Sequence, residues 1–212
     1  SRNDLVQNAL RILGYNIKEV RDRLLYTIAN AATNTFRVND RADDDAITVG
    51  DKITFEEISQ IRAVLFGAGA PKKADGTYGL VLHTQQYADL QTDSNWLSSS
   101  QFAYAEDIRK GTPNMILGVR LFESNSNSFV TTASTTSGNS NSIRTGFICG
   151  AGFAAVTELE ATQLHTQNRG QGADWMGRRY QLGWTGVFKG VIKKQAFGRR
   201  IRASSADAAA VA

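Results

Sequence analysis

Apolar residues recur at spacings of four and three along the start of the chain, at Val6, Leu10, Leu13, Ile17, Val20, Leu24 and Ile28. That spacing draws one stripe along an α-helix. It predicts a helix over 4–32, roughly 42 Å long at 1.5 Å per residue, with Asp4 as N-cap or as a first-turn acid favourable to the helix dipole. A second helix begins at a capping box, Thr54 with Glu57, ahead of Ile58, Ile61, Leu65 and Phe66, and is stopped by Gly67, Gly69 and Pro71. The run YGLVLH at Tyr78–His83 predicts a buried strand, 85–90 a short helix, and 96–104, with Leu97 and Phe102, another. Residues 116–123 predict two short extended pieces hinged at Gly118.

Fifteen of the nineteen residues at 124–142 are Ser, Thr or Asn and none is charged. Such a segment buries too little apolar area to order itself, and predicts an exposed loop. Residues 145–157 are glycine-rich and strand-like. From Tyr180 onward two or three further strands follow, with bends at Gly183, Gly186, Gly190 and Gly198. The tail after 204 predicts disorder. The element order is a mixed α+β pattern, not a doubly wound one.

Composition narrows the classes. The chain has 212 residues, 42% hydrophobic and 21% charged, as expected of one globular domain or two small interleaved ones. No apolar stretch approaches the roughly 20 residues of a membrane span, and the first residues lack a secretory pattern. The single cysteine, Cys149, allows no internal disulfide, so a reducing compartment is the default. The net charge is +4, but Arg178, Arg179, Lys189, Lys193, Lys194, Arg199, Arg200 and Arg202 form a strip of +8 with no acid, leaving −4 elsewhere. Such a strip suits phosphate or an acidic neighbour.

Candidate chemistry is sparse. Asp40, Asp43, Asp44 and Asp45 suggest calcium, but the spacing fails an EF-hand loop, since Ile47 falls at a ligand position; a solvated acidic loop fits better. Gly150, Gly152 and Ala155 match a dinucleotide fingerprint without the βαβ context that gives it meaning. His83 and His165 lie 82 positions apart, with no local signature around either or around Cys149, which reads as a small buried hydrophobe. Glu56 and Glu57 are adjacent on a helix and diverge. No catalytic, cofactor or metal constellation emerges, which points away from an enzyme. Tyr180, Trp184, Phe188 and Phe197 interleave with the basic strip and would stack on bases if the chain were a nucleic-acid-binding module. The alternative, favoured by the bending glycines, is a curved sheet with aromatics on a core and cations outward.

Five stretches in order carry a resemblance: the long opening helix, TFEEISQIRAVLFGAGAPK at 54–72, YGLVLHTQQYADLQTDSNW at 78–96, ILGVRLFESN at 116–125 and GRRYQLGWTGVFKGVIKKQAFGRRIR at 177–202. Together they resemble the major capsid (coat) protein of tailed double-stranded DNA bacteriophages. The resemblance implies a Hong Kong 97-like fold: a long spine helix, an axial-domain mixed sheet with flanking helices, and a peripheral-domain long β-sheet. It implies a peripheral segment at 1–50, an axial domain at 51–165, and a return to the peripheral domain at 166–204 with the basic strands, followed by the tail at 205–212. One departure is Thr84 after His83, where relatives commonly carry proline. Family members also place an N-terminal arm and an extended loop before the spine helix; neither precedes Asp4, so the expectation is a core lacking both. The implied function is structural: pentamers and hexamers of an icosahedral shell, assembled in the host bacterial cytoplasm and found in the virion. Implied partners are copies of the chain, packaged DNA bound without sequence preference, and scaffolding, portal or decoration proteins, with no membrane. The acidic residues at 40 and 43–45 and the basic strip are the candidate contact surfaces between subunits.

Overall fold

The opening stripe forms α1, Arg2–Asn30, 29 residues long, which places Asp4 in its first turn. The computed structural model describes residues 2–96, 115–124, 130–131, 143–167 and 181–205. After α1 come β1 (Thr35–Arg37), a 3-10 turn at Val38–Asp40, and α2 (Phe55–Gly67). Next are β2 (Tyr78–His83), α3 (Thr84–Gln91), β3 (Met115–Ile116), β4 (Val119–Ser124) and β5 (Val130–Thr131). The chain then runs through β6 (Ile143–Cys149), β7 (Ala154–Gln167), β8 (Gln181–Ile192) and β9 (Gly198–Ser204). It is an α+β chain, and it divides into two compact units, residues 1–28 with 155–191 and residues 29–154 with 192–212.

The larger unit is built on a seven-stranded mixed sheet in the order β1-β9-β6-β2-β4-β3, with β5 pairing β6. β1 with β9 and β2 with β4 are parallel; the other pairs are antiparallel. One face carries Tyr78, Leu80, Leu82, Val119, Leu121, Ile148, Ile201 and Ala203 against Ile58, Ile61 and Leu65 of α2 and Tyr87 and Leu90 of α3. Alternation along each strand sets that face, as a period of two requires. On the other face Phe147 and Cys149 join Ala32 and Phe153 in a smaller cluster. Local chemistry fixes the helix starts. Thr54 and Glu57 form the complete capping box that the spacing predicts. His83 caps α3, its Nδ1 accepting from the Gln85 amide at 3.2 Å while Gln86 bonds back to the His83 amide. The hinge at Gly118 is a two-residue hairpin: Leu117 (φ 51°) and Gly118 (φ 73°) are both left-handed, the geometry that matches strand twist.

The smaller unit contains α1 with β7 and β8, which pair with each other. Thr162 lies beside Gly186 and the Ala155 carbonyl beside Gly190, so the two strands run antiparallel. Inward positions of β8 alternate with outward ones, and the inward row meets α1: Trp184 Nε1 donates to Asn16 Oδ1 at 3.2 Å, and Arg21 stacks 5.4 Å from the Phe188 centroid. Gly190 leaves room for the Ile28 side chain, where any Cβ would collide.

Of the two or three strands expected after Tyr180 there are two, β8, which runs through Gly183, Gly186 and Gly190, and β9, with the break at 193–197. One sequence expectation differs from this arrangement. The closing strand β9 does not join the long sheet of β7 and β8 but inserts between β1 and β6 of the larger unit, which its alternating Ile201 and Ala203 suit. The compact units are bounded near 28, 154 and 191. Most of the 96–104 helix, most of the 124–142 segment, most of the tail, and Arg178, Arg179 and Tyr180 lie outside the described residues.

Candidate functional site

The acidic loop is held by groups that the sequence pattern did not single out. Asn39 (φ 55°) and Asp40 (φ 52°) turn the backbone left-handed, and the reversal gathers ligands around one buried carboxylate, Asp51, 3% exposed. Arg41 reaches it with Nε at 2.9 Å and Nη2 at 3.1 Å, the Asn39 amide nitrogen donates at 2.7 Å, and Thr48 donates from its backbone (2.6 Å) and hydroxyl (3.0 Å). Burial alone would raise the Asp51 pKa; the bonds from Arg41, Thr48 and Asn39 outweigh it and bring it from 3.8 down to about 2. Neighbouring Glu57 goes the other way: burial raises its pKa although the Asn39 and Thr54 amides donate to it.

Of the sequence-derived contact residues, two meet inside one subunit. Asp44 accepts from Arg37 Nε at 2.7 Å and pairs with Arg202 Nη1 at 3.1 Å. The register explains it, since Arg37 and Arg202 are cross-strand partners next to the loop. Arg200 is also used internally, donating to the Asn30 carbonyl (3.2 Å) and Thr35 Oγ1 (2.9 Å). Arg199 is half-buried. Asp40, Asp43, Asp45, Lys189, Lys193 and Lys194 remain exposed, with Lys194 over the Phe197 ring at 4.2 Å. Arg200 and Arg202 are thus engaged within the subunit. Its aromatics are also committed, Trp184 and Phe188 to α1, on the side of β8 away from exposed Lys189, and Phe197 to the cluster around Phe153. That is a core face with outward cations, not a stacking platform.

The Gly150–Ala155 fingerprint is occupied by the protein itself. The Gly150 amide donates to the Phe197 carbonyl (2.9 Å), the Ala151 amide donates to the Pro71 carbonyl (2.8 Å), and a strand, not a helix, follows. Two of its amides are thus committed, and the helix N-terminus that would hold a phosphate is missing. Cys149 packs in the Phe147–Phe153 cluster, where burial raises its thiol pKa and Lys73 partly offsets the rise. His165 contacts Thr185 at 2.8 Å. Among the described residues no three His, Cys, Asp or Glu side chains gather to hold a metal, and no helix is long and apolar enough to cross a membrane.

What the surface does carry is unsatisfied apolar area. Among the described residues of the smaller unit none is buried, and Leu159 (84% exposed), Ile12 (66%) and Tyr15 (65%) stand open, with Val156, Leu164, Val187 and Val191 also exposed. Exposed apolar area of this amount suits faces that meet other proteins. Two further aromatics stand exposed, Phe66 on α2 and, on the sheet face turned away from α2, Phe122 of β4. Phe66 is 71% exposed beside Arg62 and Lys72, and exposed Phe122 has Lys73 and Arg120 each 5.6 Å from its ring centroid. Sequence reasoning missed both, because the cations beside each ring come from separated segments.

Neither family models nor curated proteins give a match to the chain. Solved structures do. The chain is similar to the capsid of Ralstonia phage GP4, with a TM-score of 0.69 at 15% identity over 97% of this chain and 68% of that one. It is similar to a protein of the head of Helicobacter pylori bacteriophage KHP40, with a TM-score of 0.64 at 15% identity, over 95% of this chain and 69% of that one. The similarity to a Mycobacterium phage Che8 chain has a TM-score of 0.62 at 15% identity, over 91% of this chain but 61% of that one, so the chain spans about three-fifths of the Che8 protein's length. At such identities the likeness concerns the fold, and the fold is the Hong Kong 97-like one that the sequence resemblance implies.

Proposed function

We propose that the chain is the core of a phage major capsid subunit, which assembles with copies of itself into pentamers and hexamers of an icosahedral shell around double-stranded DNA. The observation that carries this reading is the extent of the fold match, 97% of the chain with a TM-score of 0.69. A shared fold alone does not fix function. The surfaces supply the second support: the smaller unit has no buried residue among those described, as befits a part whose apolar area is covered by neighbouring subunits. In this reading α1 is the spine helix and, with β7 and β8, forms the peripheral domain, while the seven-stranded unit is the axial domain. The exposed lysines, Lys189, Lys193 and Lys194, face a neighbouring subunit or packaged DNA, and the acidic loop faces a neighbouring subunit. Scaffolding, portal or decoration proteins complete the set of partners, and the virion is the place of action.

The rival reading, a nucleic-acid-binding module, loses its support where Trp184 and Phe188 turn to α1. Negative-stain microscopy of the full-length gene product expressed alone tests the proposal. Hollow shells or five- and six-fold rings support it. A protein that stays monomeric at high concentration and shifts DNA at sub-micromolar levels in low salt contradicts it.

A further inference from the structure

Helix α3 starts on a group that can change its charge near neutral pH. Helix N-caps are usually Ser, Thr, Asp or Asn, whose oxygens accept from the first unpaired amides without titrating in that range. Here the acceptor is Nδ1 of His83, which takes the Gln85 amide at 3.2 Å, while Gln86 Oε1 accepts from the His83 amide at 3.3 Å. Gln86 is fully buried, and its Nε2 donates to the Arg144 carbonyl of β6 at 3.0 Å. Its Oε1 lies 3.4 Å from where a Cβ on Gly146 would stand, so the side chain fills the space that this glycine leaves on β6. Gln85 Oε1 meets Ser205 Oγ, just past β9, at 3.5 Å. The first turn of α3 is therefore fastened to β2, β6 and the end of β9 at its cap.

We infer that His83 is an acid-sensitive latch: neutral, it holds the start of α3 against β6, and protonated, it lets that turn go. An imidazole nitrogen accepts only while it carries no proton, and in the imidazolium both ring nitrogens are donors. A proton on Nδ1 would face the Gln85 N–H, so the cap is lost and two donors oppose each other. The positive end of the helix dipole adds to the cost of a cation at this place. So does burial, since His83 is only 6% exposed. Among the described residues, Arg144 of β6 and Arg202 of β9 stand at the same end of the sheet, and as cations they also disfavour a charged imidazole. Arg202 is paired with Asp44. On β4, exposed Glu123 adjoins Ser124, which pairs with His83, and favours the charge; Arg120 stands at the far end, opposite Gly79. The one charge on α3 itself, Asp89, is matched to Lys52 at 2.7 Å. The capped turn thus excludes a proton that the opened turn accepts. Its stability is fully present above the ordinary histidine value of about 6.5 and declines as pH falls below it. The latch belongs to the single subunit and goes beyond the capsid reading without resting on it.

The test follows amide hydrogen exchange of the full-length gene product, kept dilute and unassembled, between pH 7.5 and 5.0, with rates corrected for the intrinsic effect of pH. Protection of the α3 amides should fall about tenfold or more over that range, the factor that a one-unit difference between the capped and opened imidazole supplies. Amides in the middle of β9 should change by less than about threefold. His83→Asn keeps a capping oxygen without the titration, so its α3 protection should match the wild type at pH 7.5 and stay level down to pH 5.0. Proton NMR supplies a second readout that does not depend on that variant folding. The chain has two histidines, and His165→Gln, at an exposed position of the smaller unit, leaves the His83 ring signal by itself. That signal should pass from the neutral to the charged form below about pH 6.5. A midpoint at or above that value overturns the inference. So does wild-type α3 protection that is level from pH 7.5 to 5.0, or a fall of equal size in His83→Asn.

Discussion

The two units of the chain solve the burial problem in opposite ways. The seven-stranded unit closes a core of its own, with Ile58, Ile61, Leu65, Leu80, Leu82, Leu90, Ile148 and Ile201 removed from solvent. The unit of α1, β7 and β8 has a helix stripe and a strand row that meet, yet none of its described residues is buried, and Leu159 is 84% exposed. Two layers that cover only one face of each other leave the outer faces for something else. One unit is stable by what it encloses, the other by what comes to cover it.

Truncation should separate the units most sharply. Ile61→Ala in the closed core should cost about 2–5 kcal/mol in urea unfolding, whereas Ile17→Ala on the half-covered stripe of α1 should cost about 1 kcal/mol or less in the isolated subunit. Equal costs would break the comparison. Next comes Asp51. Its pKa in the folded chain lies near 2 against 3.8 unperturbed, so its contribution of about 2 kcal/mol is present above pH 4 and lost as pH falls toward 2. Asp51→Asn should remove that acid-dependent loss from pH-titrated melting of the larger unit. Glu57, with a raised pKa, acts in the opposite direction and gives up its penalty as pH falls. Gly118→Ala forces a side chain into a φ of 73° and should cost about 1–2 kcal/mol. The smallest change in subunit stability, within about 0.5 kcal/mol, is expected for Leu159→Ser with Ile12→Ser. Shell yield, scored by sedimentation, should nevertheless collapse, and an unaffected yield would show that these side chains meet nothing.

The parts legible in the sequence were those with local causes. The spacing from Val6 to Ile28 gave α1 within about two residues at either end, the Thr54–Glu57 pair gave the start of α2, and Gly118 gave the β3–β4 hinge. What escaped was set by partners distant in the chain. The place of β9 depends on parallel pairing with β1 some 165 positions earlier, which no window around 198–204 reveals. The basic strip looked continuous because charge was summed along the chain, whereas pleating sends Arg200 and Arg202 to one face and Ile201 to the core. Asp51 drew no notice beside Asp43, Asp44 and Asp45, since its ligands converge only through the left-handed turn at Asn39 and Asp40.

Hydrogen–deuterium exchange of the full-length gene product, read before and after assembly, tests the central claim most directly. In the free subunit, amides of β2, β6 and β9 should be strongly protected while those of α1, β7 and β8 exchange quickly, because local opening follows sparse burial. Assembly should slow the α1, β7 and β8 amides by about a hundredfold or more, equivalent to about 2.7 kcal/mol, and leave the core strands of the larger unit nearly unchanged. Equal protection of both units in the free subunit, unaltered in the shell, would contradict the account.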